Sequence, residues 1–142
     1  MSKRIRNQRG TALIETAFTI PIVLLVCVGI FEFGRAYQTQ QVLTNAAREG
    51  ARISIIVGNT DQQVKDAVTN YLTNGRITNP GSAVVNIIRS EAMGADTASR
   101  VVIQYPFNFI VLNPVAKLVV KTSTTGKGVL TMQSIAVMRN EI

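Results

Sequence analysis

Residues 11–34, TALIETAFTIPIVLLVCVGIFEFG, constrain this chain more than any other stretch. Their uninterrupted apolar part, Ile20 to Phe31, holds twelve residues. Extended from Thr11 to Phe33, the run reaches the roughly 20 residues that a membrane-spanning helix needs, with acids near its two edges. Lys3, Arg4, Arg6 and Arg9 precede it, and the first ten residues contain no acid. By the positive-inside rule the N-terminus stays cytoplasmic and the chain after about Arg35 is exported. Gly34-Arg35-Ala36 is a poor small-x-small cleavage site, and the helical pattern runs straight past it, so the segment reads as a retained anchor rather than a discarded signal. Pro21 removes one backbone donor and crowds the carbonyl of Ala17, so a kink or a locally melted turn is expected there.

The helix does not end with the apolar run. In GRAYQTQQVLTNAAREGARISIIVG, residues 34–58, apolar or small side chains recur at Ala36, Val42, Leu43, Ala46, Ala47, Gly50, Ala51 and Ile55. Spacings of three and four are helical. The first breaker is Gly58-Asn59, so the expectation is one helix of roughly 40 residues, apolar in its first half and amphipathic in its second. The pairs Ala46/Gly50 and Ala47/Ala51 form a small-residue face that admits close approach of another helix, from the same chain or from another.

The remainder reads as a small α+β domain. Thr60 to Gly75 carries a capping-box spacing, Thr60 with Gln63, and an apolar face of Val64, Ala67, Val68, Tyr71 and Leu72. This predicts a short helix that packs on a sheet and stops at Gly75. Strands are expected over 82–89, over 99–107 where Val101, Ile103, Tyr105 and Phe107 alternate, over 116–124, and over 129–138. The last two are expected to form a hairpin around residues 125–128. PFNFIVLNP, residues 106–114, is an apolar loop that either plugs one end of the sheet or marks a contact surface. The expected architecture is therefore a long transmembrane-plus-amphipathic helix, a second short helix and an antiparallel sheet of about four strands. Its segments are a basic leader over 1–10, a span over 11–34, a helical continuation over 35–58 and an exported domain over 59–142.

Composition narrows the function. The net charge is +7, but without the first ten residues eleven basic residues face eight acidic ones, a net +3. No basic stripe interleaved with aromatics follows the leader, which argues against nucleic acid as a partner. The chain has no histidine and one cysteine, Cys27, inside the apolar run. His-based triads, usual zinc sites and an intrachain disulfide are thereby excluded. Asp61 and Asp66 read as solvated, and Glu91 and Asp96 lie in a polar loop, SEAMGADTAS, without the spacing of a calcium loop. No catalytic constellation, cofactor motif or metal site is visible, so an enzyme is not expected.

One constellation remains. Gly10 closes the basic leader, Thr11 follows it, and Glu15 is the fifth residue after the glycine. This resembles the cleavage signal of type IV pilin-like proteins. More closely, RGTALIETAFTIPIVLL with FEFGRAYQTQQVLTNAAREGAR resembles the TadE-like family of minor pilins, or pseudopilins, of the tight-adherence (Tad, or Flp) pilus. SRVVIQYPF and LTMQSIAVMRNE are also similar to that family. The resemblance implies that a prepilin peptidase in the bacterial inner membrane cuts between Gly10 and Thr11. It implies as partners the major Flp pilin, the TadF and TadG proteins, the platform proteins and an assembly ATPase, with a final place in the periplasm or on the cell surface. It leaves N-methylation of Thr11 open. It carries Pro21, Ala46, Arg48, Glu49, Gly50 and Arg52 over as packing and assembly determinants, against the plainer reading of a solvated face for the charged ones. Cleavage would create an ammonium at Thr11, largely protonated at neutral pH. In a bundle of staggered helices it could meet the Glu15 carboxylate of a neighbour, each offsetting the other's desolvation. Alternatively Glu15 only reaches the headgroups and favours the helix N-terminus. The competing function is an uncleaved, single-pass anchored binding module.

Overall fold

The computed structural model describes residues 8–93, 96–111, 114 and 129–140. Most of the basic leader, the strand expected over 116–124 and the turn over 125–128 lie outside the described residues, as does Glu141. The order is α1 (Gln8–Ser54), α2 (Asp61–Asn74), a short 3-10 turn (Pro80–Ser82), β1 (Val84–Met93), β2 (Asp96–Asn108) and β3 (Val129–Arg139). Among the described residues the sheet has three antiparallel strands in the order β1-β2-β3, one fewer than expected.

Helix α1 spans 47 residues, about 70 Å at 1.5 Å per residue. It runs unbroken through Pro21, and the melted turn expected there does not occur. Two hydroxyls in this half are satisfied within the helix: Thr16 Oγ1 donates to the Ala12 carbonyl at 2.7 Å and Thr19 Oγ1 to the Glu15 carbonyl at 2.8 Å. The second half turns one face inward, where Ala36, Leu43, Ala46, Ala47 and Ala51 are buried. The helix ends at Ser54, four residues short of the expected stop. Its last carbonyls find other donors, Asn59 Nδ2 to the Ile53 carbonyl at 3.1 Å and Arg89 Nη1 to the Ser54 carbonyl at 3.0 Å. A cation at a helix C-terminus also suits the dipole. Gly58 follows with φ 92, a conformation that glycine adopts without penalty.

Helix α2 opens on the capping box read from the sequence. Thr60 Oγ1 accepts from the Gln63 amide, and Gln63 Oε1 accepts from the Thr60 amide at 2.8 Å. Its buried face is Val64, Val68 and Leu72, with Tyr71 more exposed than the periodicity implied. It packs chiefly on α1 rather than on the sheet. Gly50 explains why the approach is so close. A Cβ there would lie 2.7 Å from Val68 Cγ2 and 3.3 Å from Val101 Cγ1. The helix stops at Gly75 as expected, with Gly75 at φ −73 and the left-handed conformation taken by Arg76 at φ 56. Glycine is required at 75 because a Cβ there would collide with Val42.

The inner sheet face carries Val101, Ile103, Tyr105 and Phe107 from β2, in the alternation read from the sequence, with Met132 and Ala136 from β3. These pack against the buried stripe of α1, and the burial of each large apolar side chain contributes about 1.5–3 kcal/mol. Strands β1 and β2 take in Ser90–Met93 and Asp96–Ser99, where the polar sequence predicts a loop. Glu91 pairs with Ala98, Ala92 with Thr97 and Met93 with Asp96, after a bulge between Ile88 and Glu91. Pairing between distant residues, which a polar sequence does not announce, decides the strands here. Strand β3 pairs with β2 from Asn108↔Val129 to Ala98↔Arg139. The element directions place residues 75–83, the end of β2 and the start of β3 at the end of the domain near the free half of α1.

Candidate anchoring and assembly site

The free half of α1 is the first part of the site. From Gly10 to Cys27 every residue is exposed, and helix α1 from Gly10 on is long and apolar enough to cross a membrane. A helix this apolar and uncovered needs a solvent or partner other than water. Its length and composition fit a single-pass anchor. Gly10 and Thr11 lie in its first turns, where a Cβ on Gly10 would meet nothing within 4 Å. Glu15 is exposed on the same free stretch, as are Pro21 and Cys27.

The second part is the junction between this free half and the domain. Glu32 is 0% exposed, although it sits at the end of an apolar run. Its Oε1 accepts from the Val111 amide at 2.6 Å and its Oε2 from Arg35 Nη2 at 3.0 Å. Arg35 Nη2 also donates to the Asn108 carbonyl, and the guanidinium carbon lies 4.6 Å from the centroid of the Phe107 ring. Phe109 meets Phe107 edge-on at 5.2 Å and Phe33 at 6.5 Å. A buried carboxylate is tolerable only when paired and hydrogen-bonded, and here a guanidinium and a backbone amide supply both. The segment after β2 is thereby fastened to α1 where the apolar run ends. Phe107 and Phe109 close this end of the core, while Ile110 and Val111 stay exposed. So the apolar stretch 106–111 both plugs the sheet and presents an apolar surface.

In the sequence, Glu32 stands out only as an acid at the edge of the apolar run. The signal available was the pair Glu32/Arg35, three residues apart at the end of the apolar run, a helical spacing that brings opposite charges together. What it could not show was the partner amide 79 residues away.

The residues named as packing determinants divide into two sets. Ala46 and Gly50 are buried between α2 and the sheet, as are Ala47 and Ala51. The small-residue face is therefore used within the chain. Arg48 and Arg52 point outward. Arg52 grips Glu49 with two hydrogen bonds, 2.9 Å from Nε and 2.7 Å from Nη2. The Arg52 guanidinium holds the Glu49 carboxyl below its usual range. At the far end of the domain Arg89 Nε bonds Asp61 at 2.6 Å, and Asn140 ties Ser99, Thr97 and Arg89 together.

A cavity of about 540 Å³ opens beside the junction, lined by Arg35, Gln38, Arg76, Thr78, Asn79, Ser82 and Tyr105 among others. Tyr105 donates its hydroxyl to the Thr78 carbonyl across the cavity wall, and burial pushes its pKa up. Among the described residues no group of three or more His, Cys, Asp or Glu side chains is placed to hold a metal ion.

Comparison with known proteins bears on the same stretch. The family model described as TadE-like protein matches residues 10–52, which run from Gly10 through the buried small-residue face. No curated protein and no solved structure matches the chain.

Proposed function

We propose, from the assignment to the TadE-like family that the match over residues 10–52 supports, that this chain is a minor pilin of a tight-adherence pilus. The observation that carries the reading is a helix exposed at every residue from Gly10 to Cys27, within a matched segment that begins at Gly10. In the precursor that half spans the inner membrane with its basic leader in the cytoplasm. A prepilin peptidase cuts after Gly10, and Thr11 becomes the mature N-terminus. The head domain, from α2 to β3 around the second half of α1, stays on the exported side.

Assembly then moves the free half from lipid into a bundle of pilin helices. Glu15, exposed on the isolated helix, pairs there with the Thr11 ammonium of a neighbouring subunit. Each charge is costly alone in apolar surroundings, and pairing selects one stagger between neighbours. Arg48, Glu49 and Arg52 form an outward polar face available to neighbours, while Ala46 and Gly50 fix the head. The partners are the major Flp pilin, TadF- and TadG-like minor pilins, the platform proteins and the assembly ATPase.

The test is incorporation. Sheared pili from cells carrying all pilus components should contain the wild-type chain. Glu15→Ala should be cut normally but be depleted from sheared filaments. Equal recovery of Glu15→Ala in filaments would remove the charge-pairing step. Recovery of no chain of either kind from filaments would remove the pilin reading and favour an anchored module.

A further inference from the structure

We infer that the cavity beside the junction binds the phosphate headgroup of an anionic phospholipid from the leaflet beneath the head. The inference rests on the span reading of α1, and its experiment scores that span separately. The geometry begins with distances along the helix. Thr11 to Phe31 is about 31 Å of helix at 1.5 Å per residue, close to the ~30 Å of a hydrocarbon core. Arg35 stands four residues further on, about 6 Å, which is the depth of the headgroup layer on one side of a bilayer. The exposed Phe33, Ile110 and Val111 lie at the same end and fit the boundary between acyl chains and headgroups.

The lining matches a phosphate. Arg35 and Arg76 line the cavity, and among the described residues that line it none is acidic. Arg35 already pairs with Glu32 through Nη2, but its Nε is buried and has no partner among the described residues. A buried N–H is not open to a ligand, so the cation that the cavity offers directly is the exposed Arg76. Gln38, Thr78, Asn79 and Ser82 add neutral polar groups for the glycerol end of a headgroup. The connection bearing Arg76 and Asn79 holds both in the left-handed region, at φ 56 and φ 54. Backbone strain of this kind is maintained only where the surroundings impose it. A headgroup held there would set the tilt of the head on the membrane before the chain is drawn into a filament.

The experiment uses the full chain. Its retention in the pellet of phosphatidylglycerol vesicles after alkaline carbonate washing scores the span; release into the supernatant overturns the span and with it this inference. For the cavity, the chain in dodecyl maltoside micelles is titrated with dihexanoyl-phosphatidylglycerol and, separately, with inorganic phosphate, following the backbone amides of Thr78, Asn79 and Ser82. The expected result is saturable shifts with the lipid and none at equal concentration of phosphate. Arg76→Gln, an exposed position outside the core, should weaken the lipid about fivefold, as for one cation near a membrane surface. Equal response to inorganic phosphate would overturn the lipid assignment in favour of a simple anion pocket. Unmoved amides, or an unchanged affinity in Arg76→Gln, would overturn the site.

Discussion

Replacing Glu32 by Gln should loosen the junction selectively. The carboxylate accepts two hydrogen bonds, one on each oxygen, from the Val111 amide at 2.6 Å and from Arg35 Nη2 at 3.0 Å. A glutamine of the same shape has one oxygen and one NH2 group. Whichever way it turns, one of the two donors then faces another donor. The surviving bond also loses its charge assistance. A hydrogen bond to a charged group contributes about 1.5–3 kcal/mol, and a donor left unsatisfied costs about 1–3 kcal/mol. Arg35 is partly exposed and can recruit water, so the lower part of the range applies, about 2 kcal/mol. If the cost falls on local opening, the Val111 amide should exchange with solvent about thirtyfold faster than in the wild type. Amides in the centre of β2, such as those of Val101 and Ile103, should change far less. Hydrogen exchange read by NMR on the full chain in micelles measures both. Exchange at Val111 unchanged in Glu32→Gln, with the variant folded, would refute the view that this carboxylate fastens the segment to α1.

Three further outcomes follow from the same geometry. Gly50→Ala should lower stability by about 1 kcal/mol, because overpacking against Val68 and Val101 costs about 1–3 kcal/mol against a helix-propensity gain of about 1 kcal/mol. Gly34→Ala, where a Cβ meets nothing within 4 Å, should instead be neutral or stabilising, and thermal unfolding by circular dichroism compares the two. Tyr105→Phe removes the hydroxyl bond to the Thr78 carbonyl and should cost about 0.5–1.5 kcal/mol in the same assay. The bond between Glu49 and Arg52 gives a pH signature: the folded-state pKa of Glu49 is lowered, so its stabilisation is present above the ordinary carboxylate range and is lost as pH falls through the lowered value. The small difference in thermal midpoint between wild type and Glu49→Gln should therefore exist at pH 7 and vanish in strong acid.

What was legible in the sequence was what short-range chemistry dictates. The length of the apolar run gave the free half of α1. Thr60 and Gln63 gave the start of α2, and the alternation from Val101 to Phe107 gave the inner face of β2. Features set by distant partners were hidden. Gly75 was legible as the stop of α2, but the Val42 side chain that leaves no room for a Cβ there was not. The small-residue face of α1 suited either a partner chain or the same chain, and only the position of α2 decided between them. A polar stretch hid the ends of β1 and β2, because strand pairing was decided by the partner strand rather than by local propensity. Glu32 looked like a charge marking an edge, and its role required an amide brought back by the whole sheet.

The central claim concerns the start of the mature chain. Mass spectrometry of the protein's N-terminus, from cells with and without an active prepilin peptidase, tests it most directly. Thr11 should be the first residue when the peptidase is active, and the chain should still carry its basic leader when the peptidase is absent. A terminus at Met1 or Ser2 in cells with an active peptidase would contradict it.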